Sequence, residues 1–450
     1  MVAEISARGV GSAPLAQVTH PRRSARFSEQ FAELTSQFTG QPLDVSFRNL
    51  VGPLPAQDLT HGLFPYPARL VRHIPMFLLG SSDFATPGSV VFDPFCGSGT
   101  VLVEAQAWGH DGIGVDANPI AVLATKVKTT AVDGRLLDET IARVRSRALN
   151  YRSAAIPAQF LEKWYSESAL SALARIARAL SQEAECSPER DCVALAFALS
   201  SRALAWTDAR VPVPVLRVPD KPRESFRNVW STFDAACRRV ATGVSTDRPR
   251  SHAVEVFEGD ARGLDRIVGL EIDRPAVIIS SPPYGAAQKY VRSTSLEAGW
   301  LGLTNGRGTI ELERNSIGRE HLSQGERNPD SSVLSSDLRQ VIGKISSSNV
   351  DRGAIYTNYF LDMSLAFANA VDTFPTVERI ALIGGTNVAG GVPVETHVHL
   401  ADMVAAQGFK LTLTMRDSIR GRALLTRRKG DAVPSAFEYV HILEREGETE

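Results

Sequence analysis

The segment Asp93-Pro-Phe-Cys-Gly-Ser-Gly-Thr100 constrains the fold more than any other part of this 450-residue chain. The apolar run Ser89–Phe92 leads into it, and Thr100–Trp108 leaves it at helical spacing. Two glycines between a strand and a helix permit a tight turn and let the backbone approach a ligand closely. The helix N-terminus that follows favours anionic or polar ligand groups. The segment has no Gly-Lys-Ser/Thr, so it is not a phosphate loop of the Walker type. Leu102 stands where a dinucleotide fingerprint needs its third glycine. Asp93, at the strand end, suits a cationic ligand group such as an amine.

The next elements extend the pattern. His110–Val115 reads as a second strand ending at Asp116, and Asn118-Pro119 opens a helix through Lys128, with Asn as cap and Pro at the first helical position. This βαβα order marks a doubly wound parallel sheet. An acidic residue at the second strand end is placed to accept hydrogen bonds from the ribose hydroxyls of an adenosine-type cofactor. Further strand signals lie at Ala253–Phe257, Ala276–Ser280, Arg379–Gly384, Lys410–Met415 and Glu438–Leu443, with a helix at His399–Gln407. The total is seven strands, and the class is α/β. Four units are expected. Residues 1–58 form an N-terminal arm, partly disordered, with a basic cluster at Arg22, Arg23 and Arg26 and a short helix near Glu29–Phe38. Residues 59–130 are the cofactor-binding half of a catalytic domain. Residues 131–250 are a helical insertion with helices at Leu136–Leu149, Ser168–Gln182 and Asp191–Leu204, a candidate for target recognition. Residues 251–450 are the second catalytic half. The prolines of Arg210–Pro222 require an extended segment there. The polar stretch 303–354 is too long for a plain connection, so it is either functional or mobile.

A second chemistry-bearing segment, Ser281-Pro-Pro-Tyr284, follows the apolar run Val277–Ile279. Two prolines at a strand's carboxyl end fix a rigid loop and leave carbonyl groups free as acceptors. Ser281 adds a side-chain acceptor and Tyr284 a flat π-face. Acceptors beside an aromatic plate suit a planar base that bears an exocyclic amine.

Asp93–Thr100 and Ser281–Tyr284 resemble motifs I and IV of the S-adenosylmethionine-dependent amino-methyltransferases that act on nucleic acid. The wider resemblance is to site-specific DNA methyltransferases of the cytosine-N4 type, whose fourth motif reads Ser-Pro-Pro-Tyr. His61–Ala68 is similar to the segment that precedes motif I and closes over the cofactor. Gly114–Ile120 resembles motif II, and Glu258–Ala261 motif III, with Asp260 near the adenine amine. Tyr290–Gly302 is similar to the segment downstream of motif IV, and Ile419–Arg422 and Glu438–Ile442 to the C-terminal strands. The resemblance spans roughly 58–130 and 253–445. In this chain the cofactor motifs precede Ser-Pro-Pro-Tyr, whereas many cytosine-N4 enzymes have the reverse order.

The resemblance implies a Rossmann-like seven-stranded methyltransferase sheet and S-adenosyl-L-methionine as cofactor. It implies cofactor contacts from Phe64, Tyr66 and Pro67, from Asp93, Pro94, Phe95, Cys96, Gly97, Ser98, Gly99 and Thr100, from Asp116, Ala117 and Asn118, and from Asp260 and Ala261. Ser281, Pro282, Pro283 and Tyr284 would be catalytic, with no metal. The expected reaction is direct transfer of a methyl group to cytosine N4 in duplex DNA, with the base flipped out. Cys96 sits in the cofactor turn and not in a Pro-Cys loop, which disfavours cytosine-C5 chemistry. The alternatives are DNA adenine-N6 methylation, RNA guanine-N2 methylation, or a non-catalytic nucleic-acid-binding module. The RNA enzymes usually carry Asp where Ser281 stands.

Charge has to be local for DNA binding, because 49 Lys and Arg against 50 Asp and Glu leave a net charge of −1. Arg210 and Arg217 lie in a basic stretch over Arg202–Arg227. Arg420, Arg422, Arg427 and Arg428 lie in another over Arg416–Lys429, and these six arginines are the candidate phosphate contacts. The four cysteines form no C-x-x-C pair, and no 18-residue apolar run or leader-like start is present. A cytoplasmic protein with no membrane span is expected, and a cognate restriction or defence partner is a possible associate.

Overall fold

The computed structural model describes residues 21–54, 59–67, 69–185, 187–208, 210–217, 226–245, 252–285, 290–304, 308–419 and 436–447. Ten strands occur among them: β1 (Leu43–Val45), β2 (Val90–Asp93), β3 (Asp111–Asp116), β4 (Val254–Glu258), β5 (Ala276–Ser280), β6 (Val377–Gly384), β7 (Asn387–Ala389), β8 (Val392–Val394), β9 (Phe409–Ser418) and β10 (Phe437–Arg445). All seven strands expected from the sequence are present. β7 and β8 form a separate hairpin, and the other eight make one sheet in the order β1-β9-β10-β6-β5-β2-β3-β4. Every pairing in it is parallel except the two made by β10. This is a Rossmann-like methyltransferase fold, with β1 as an eighth strand on one edge.

The central strands β2 and β5 are buried at every position. That is why both read as unbroken apolar runs: a parallel sheet covered on two faces exposes neither set of alternating side chains. Val90, Phe92 and Ile278 face a core shared with the 24-residue helix Val350–Thr373. Val91, Val277 and Ile279 face the opposite core, built from the helices Pro21–Gln37, Phe47–Val51, His73–Leu79 and Thr100–Trp108. A third core joins the helices of 134–244 to one another, to Ile120, Leu123 and Val127 of the helix Pro119–Thr129, and to Trp300.

The chain runs from β2 outward to β3 and β4, then returns to β5 on the other side of β2 and continues to β6. The winding reverses between β2 and β5, so a crevice opens beyond their carboxyl ends. Asp93 ends β2 and Ser280 ends β5, and the Ser280 hydroxyl donates to Asp93 Oδ1 across that gap at 2.7 Å.

Two expectations change. Over residues 21–51 the N-terminal arm is an integral layer. Phe27 and Phe47 are fully buried, with ring centroids 5.6 and 5.9 Å from that of Phe77. β1 pairs with β9, Arg416 holds Asp44 through two bonds of 2.7 and 2.8 Å, and Asp417 accepts from the Phe47 N–H. The polar stretch 303–354 contains ordered helices at Ile310–Arg314 and Ser336–Ser348, and the start of Val350–Thr373. Among the described residues no helix is long and apolar enough to cross a membrane.

The arm's role in the core is measurable. Phe27→Ala should lower the unfolding free energy by about 3–5 kcal/mol. Urea unfolding followed by tryptophan fluorescence checks this; an unchanged midpoint would show that the arm is dispensable.

Candidate active site

The crevice beyond β2 and β5 is a cleft of about 980 Å³, part of it open to solvent. Its lining includes five segments singled out from the sequence: Tyr66 and Pro67, Asp93 to Ser98 with Thr100, Asp116 to Asn118, Asp260 with Ala261, and Ser281 with Pro283 and Tyr284. The two motif segments, 188 positions apart in sequence from Asp93 to Ser281, thus share one cavity.

Three expected residues stand behind this lining. Phe64 is 2% exposed and packs in the core of the helical insertion. Pro282 is buried beneath the loop surface. Gly99 caps the helix Thr100–Trp108 with φ 76°, and a Cβ there would lie 2.6 Å from the Thr125 side chain. Its glycine serves the turn and its packing on the neighbouring helix. Arg210 and Arg217 both turn to Asp208: Arg210 Nε donates to Asp208 Oδ1 at 2.8 Å, and Arg217 Nη1 lies 3.8 Å from Oδ2. Arg420, Arg422, Arg427 and Arg428 fall outside the described residues.

The glycine turn is held from both sides. The Gly97 N–H donates to Asp116 Oδ2 and the Asn118 N–H to Asp116 Oδ1, each at 2.8 Å. Thr125 donates to the Gly97 carbonyl at 2.9 Å, and the buried Lys128 ammonium to the Ser98 carbonyl at 2.6 Å. Burial, reinforced by the charge of Arg69, pushes the Lys128 pKa down to about 7. Asn118 caps its helix through Oδ1 while its Nδ2 donates to the Tyr66 hydroxyl and to Thr294 Oγ1 at 3.2 and 3.1 Å. One side chain therefore joins the segment above the cofactor turn to the helices after Ser281–Tyr284. Glu104, fully buried, lies 2.7 Å from His61 Nε2 and forms an ion pair with Arg72, Nε at 3.3 Å, which anchors the 61–72 segment to the helix Thr100–Trp108.

The floor of the cleft is acidic. Burial pushes the Asp93 carboxyl up to about 7, against the bonds from Ser280 and the Phe95 N–H. Burial likewise raises Asp116 to about 6, against the Asn118 and Gly97 N–H groups. Among the described residues neither carboxylate has a Lys or Arg partner in an ion pair. Ser98 Oγ is buried without a hydrogen-bond partner. Two buried, cation-poor carboxylates and an orphaned hydroxyl make a site ready for a ligand that carries positive charge and hydroxyl groups.

Sequence reasoning marked the stretch of one further wall as functional or mobile but named none of its residues. Asn315, Ser316 and Ile317 line the cleft from within the polar stretch 303–354. Gly318, at φ 79°, presses on the Tyr284 carbonyl, where a Cβ would sit at 2.9 Å. An alternating charge chain secures this wall. Asp260 accepts from Arg262 Nε at 2.9 Å, Arg262 Nη1 reaches Asp362 Oδ1 at 2.8 Å, Arg319 Nη1 reaches Asp362 Oδ2 at 3.0 Å, and Arg319 also holds Glu326. No motif flags Asp362; the helical period around it was the available signal. Arg69, Leu70, Tyr290 and Val291 also line the cleft, from segments whose motif-like neighbours had drawn attention.

An α/β sheet of this order, with a glycine turn after β2 and a Pro-Pro loop after β5, has the Rossmann-like methyltransferase fold. Residues 64–126 match the profile of a family described as DNA methylase. The chain is 27% identical over 137 residues to the type II methyltransferase M.MvaI of Kocuria varians, a match covering 28% of this chain and 30% of that protein. It is 33% identical over 73 residues to the type II methyltransferase M.MjaII of Methanocaldococcus jannaschii, covering 16% of this chain and 13% of that one. The matches thus span less than a third of either relative. DNA methylases of the matched family take their methyl group from S-adenosylmethionine, a sulfonium with an ammonium group and two ribose hydroxyls, and the acidic floor fits that chemistry.

The raised Asp93 pKa has a signed consequence. The folded carboxyl binds its proton more tightly than the unfolded one, so its contribution to stability falls as pH rises from about 4 to about 7. Asp93→Asn, which mimics the protonated form and can still accept from Ser280, should become progressively more stable relative to wild type across that window. The gain should reach at most about 4 kcal/mol. Thermal unfolding of the ligand-free pair at pH 5 and pH 8 measures it; a pH-independent difference would overturn the assignment.

Proposed function

We propose that this protein transfers a methyl group from S-adenosylmethionine to the exocyclic amine of a base in DNA, cytosine N4 at a specific site. The observation that carries this reading is the shared cleft: Ser281, Pro283 and Tyr284 form one wall and Asp93 to Ser98 another. The matched DNA methylase family and the relatives' names support DNA as the polymer.

When bound, S-adenosylmethionine supplies an electrophilic methyl group on a positively charged sulfur. The chain's own residues supply position and field. Asp93 and Asp116 would give the cationic and hydroxyl-bearing parts of the cofactor their acceptors, and Ala117 and Ala261 line the cleft with Asp260, where the adenine would sit. Asp260 is half turned away, since Arg262 occupies its carboxylate. The lone pair of an exocyclic amine is delocalised into the ring, so the amine is a poor nucleophile. Ser281 accepts one of its protons as a hydrogen bond, and a carbonyl of the Pro-Pro loop accepts the other. The nitrogen is drawn toward tetrahedral geometry with its lone pair exposed; the methyl–sulfur bond of the donor would break as the N–C bond forms, the donor would leave as a neutral thioether, and the surplus amine proton would pass to solvent. Tyr284 stacks on the flipped base, worth about 1–3 kcal/mol. No covalent enzyme intermediate is required, and positioning and electrostatics do the catalysis.

Ser281 in place of Asp favours cytosine N4 over RNA guanine N2. The matched family spans both N4 and N6 amines, so adenine N6 is the second reading. A cognate restriction partner belongs to the same proposal.

Nucleoside mass spectrometry of DNA and RNA from cells with and without the gene should show N4-methylcytosine in DNA alone. N6-methyladenine in DNA would select the second reading; no modified base in either polymer would defeat enzymatic function. In vitro, Ser281→Ala should lower the turnover of labelled methyl transfer by about 10²–10³ while calorimetric affinity for S-adenosylmethionine stays within about twofold, a difference under about 0.5 kcal/mol. Unchanged turnover would remove Ser281 from the reaction.

A further inference from the structure

The N-terminal layer carries a concentrated positive surface that the reaction does not use. Arg23 and Arg26 leave the helix Pro21–Gln37 and donate to the Val51 and Leu50 carbonyls at the end of the helix Phe47–Val51. Arg48 stands on that second helix and is exposed, as is Arg26. His73 lies among Arg48, Arg72 and Arg23, and its burial together with their charge pushes its pKa down to about 4. Among the described residues no carboxylate forms an ion pair with Arg23, Arg26 or Arg48; the nearby Glu104 is buried and already holds His61 and Arg72. Each carbonyl bond uses one of a guanidinium's five donors, so the arginines keep capacity for an anion.

Topology puts this surface on the rim that holds the cleft. β1 is parallel to β9, and β9 shares its direction with β6, β5 and β2 because β10 reverses twice between β9 and β6. The helix Phe47–Val51 follows the carboxyl end of β1, so it stands on the same edge of the sheet as Ser281–Tyr284. Arg72 and His73 also lie two and three positions after Leu70, which lines the cleft. Four strand spacings of about 4.8 Å separate β1 from β5, roughly 19 Å. At about 3.4 Å per base pair that is five or six base pairs of duplex.

We infer that Arg23, Arg26 and Arg48 form a docking surface for the phosphate backbone of duplex DNA, flanking the base held in the cleft. This rests on the reading of DNA as substrate and adds which part of the chain grips it. A net charge of −1 for the whole chain makes such local concentration necessary, since phosphate contacts dominate DNA affinity.

The test is fluorescence anisotropy of a labelled 30-base-pair duplex, titrated with full-length wild type and with an Arg26→Gln, Arg48→Gln double variant across 50–200 mM salt. Two lost phosphate contacts should weaken binding at least tenfold at the lowest salt and make the plot of log affinity against log salt shallower by about 1.8. Arg48→Gln alone should take about half of that slope change, and Arg48→Lys should restore it. S-adenosylmethionine affinity should not change. Arg48 makes none of the carbonyl bonds, so a loss seen in the double variant but not in Arg48→Gln alone, and accompanied by a lower melting temperature, would show a structural role and overturn the surface. Equal affinity and slope in wild type and both Arg48→Gln proteins would overturn it while leaving DNA methylation standing. Wild-type protein that binds no duplex would overturn both.

Discussion

The Ser280–Asp93 hydrogen bond closes the one point at which the sheet changes direction. Two strands that diverge in connectivity meet there with buried polar ends, and a lone carboxylate in such a place costs several kcal/mol. Ser280 and the Phe95 N–H offset part of that cost, and the raised Asp93 pKa is the part that remains. The bond also sets the geometry on which catalysis depends. It fixes the end of β5, and therefore the start of the Pro-Pro loop, relative to the end of β2 and the glycine turn. A methyl donor on one side and an amine on the other need that separation held to within a fraction of an ångström.

Around this point the protein repeats one device: a polar side chain, in most cases near a strand or helix end, ties together segments that are distant in sequence. Asp116 holds the glycine turn, Asn118 joins Tyr66 to Thr294, Lys128 reaches back to Ser98, and Asp362 joins Arg262 to Arg319. Each is buried or half-buried, where a hydrogen bond is electrostatically stronger than in water and an unmade one is costly. The cleft is consequently built to be rigid on its cofactor side. Its acidic floor stays short of full charge balance, which is a sensible state for a site whose ligand brings the missing positive charge.

Much of this was legible in the sequence because it is local. β2 and β5 announce themselves as apolar runs, Asn118-Pro119 as a helix start, and the two chemical segments as strand ends followed by turn residues. Other parts were hidden because they are fixed by distant partners. Nothing near Phe27 says that Phe77 awaits it, and β1 is only three residues long, stabilised by β9 some 370 positions later. The helix Val350–Thr373 has a clear apolar stripe in Tyr356, Phe360, Met363 and Phe367 and an Asn349 cap, but it begins inside a stretch whose serines and glycines read as loop. The wall at Asn315–Ile317 has no local signature at all; the Asp362 charge chain, assembled from three separate segments, places it.

The same contrast governs the charges. Arg210 and Arg217 looked like phosphate contacts in sequence, yet Asp208 stands between them and partly compensates both. Arg26 stood in a basic cluster of an arm with little other pattern and Arg48 carried no signal, yet among the described residues they share a rim with the cleft and have no acidic partner in an ion pair. A basic residue's value for binding a polyanion depends on its acidic neighbours in space and on which end of the sheet it occupies. Composition averages over the first and is blind to the second. A chain with net charge −1 can therefore present a DNA-binding face without any excess of basic residues, provided its acids are spent inside, as Glu104 is on His61 and Arg72, or across the sheet, as Asp44 is on Arg416.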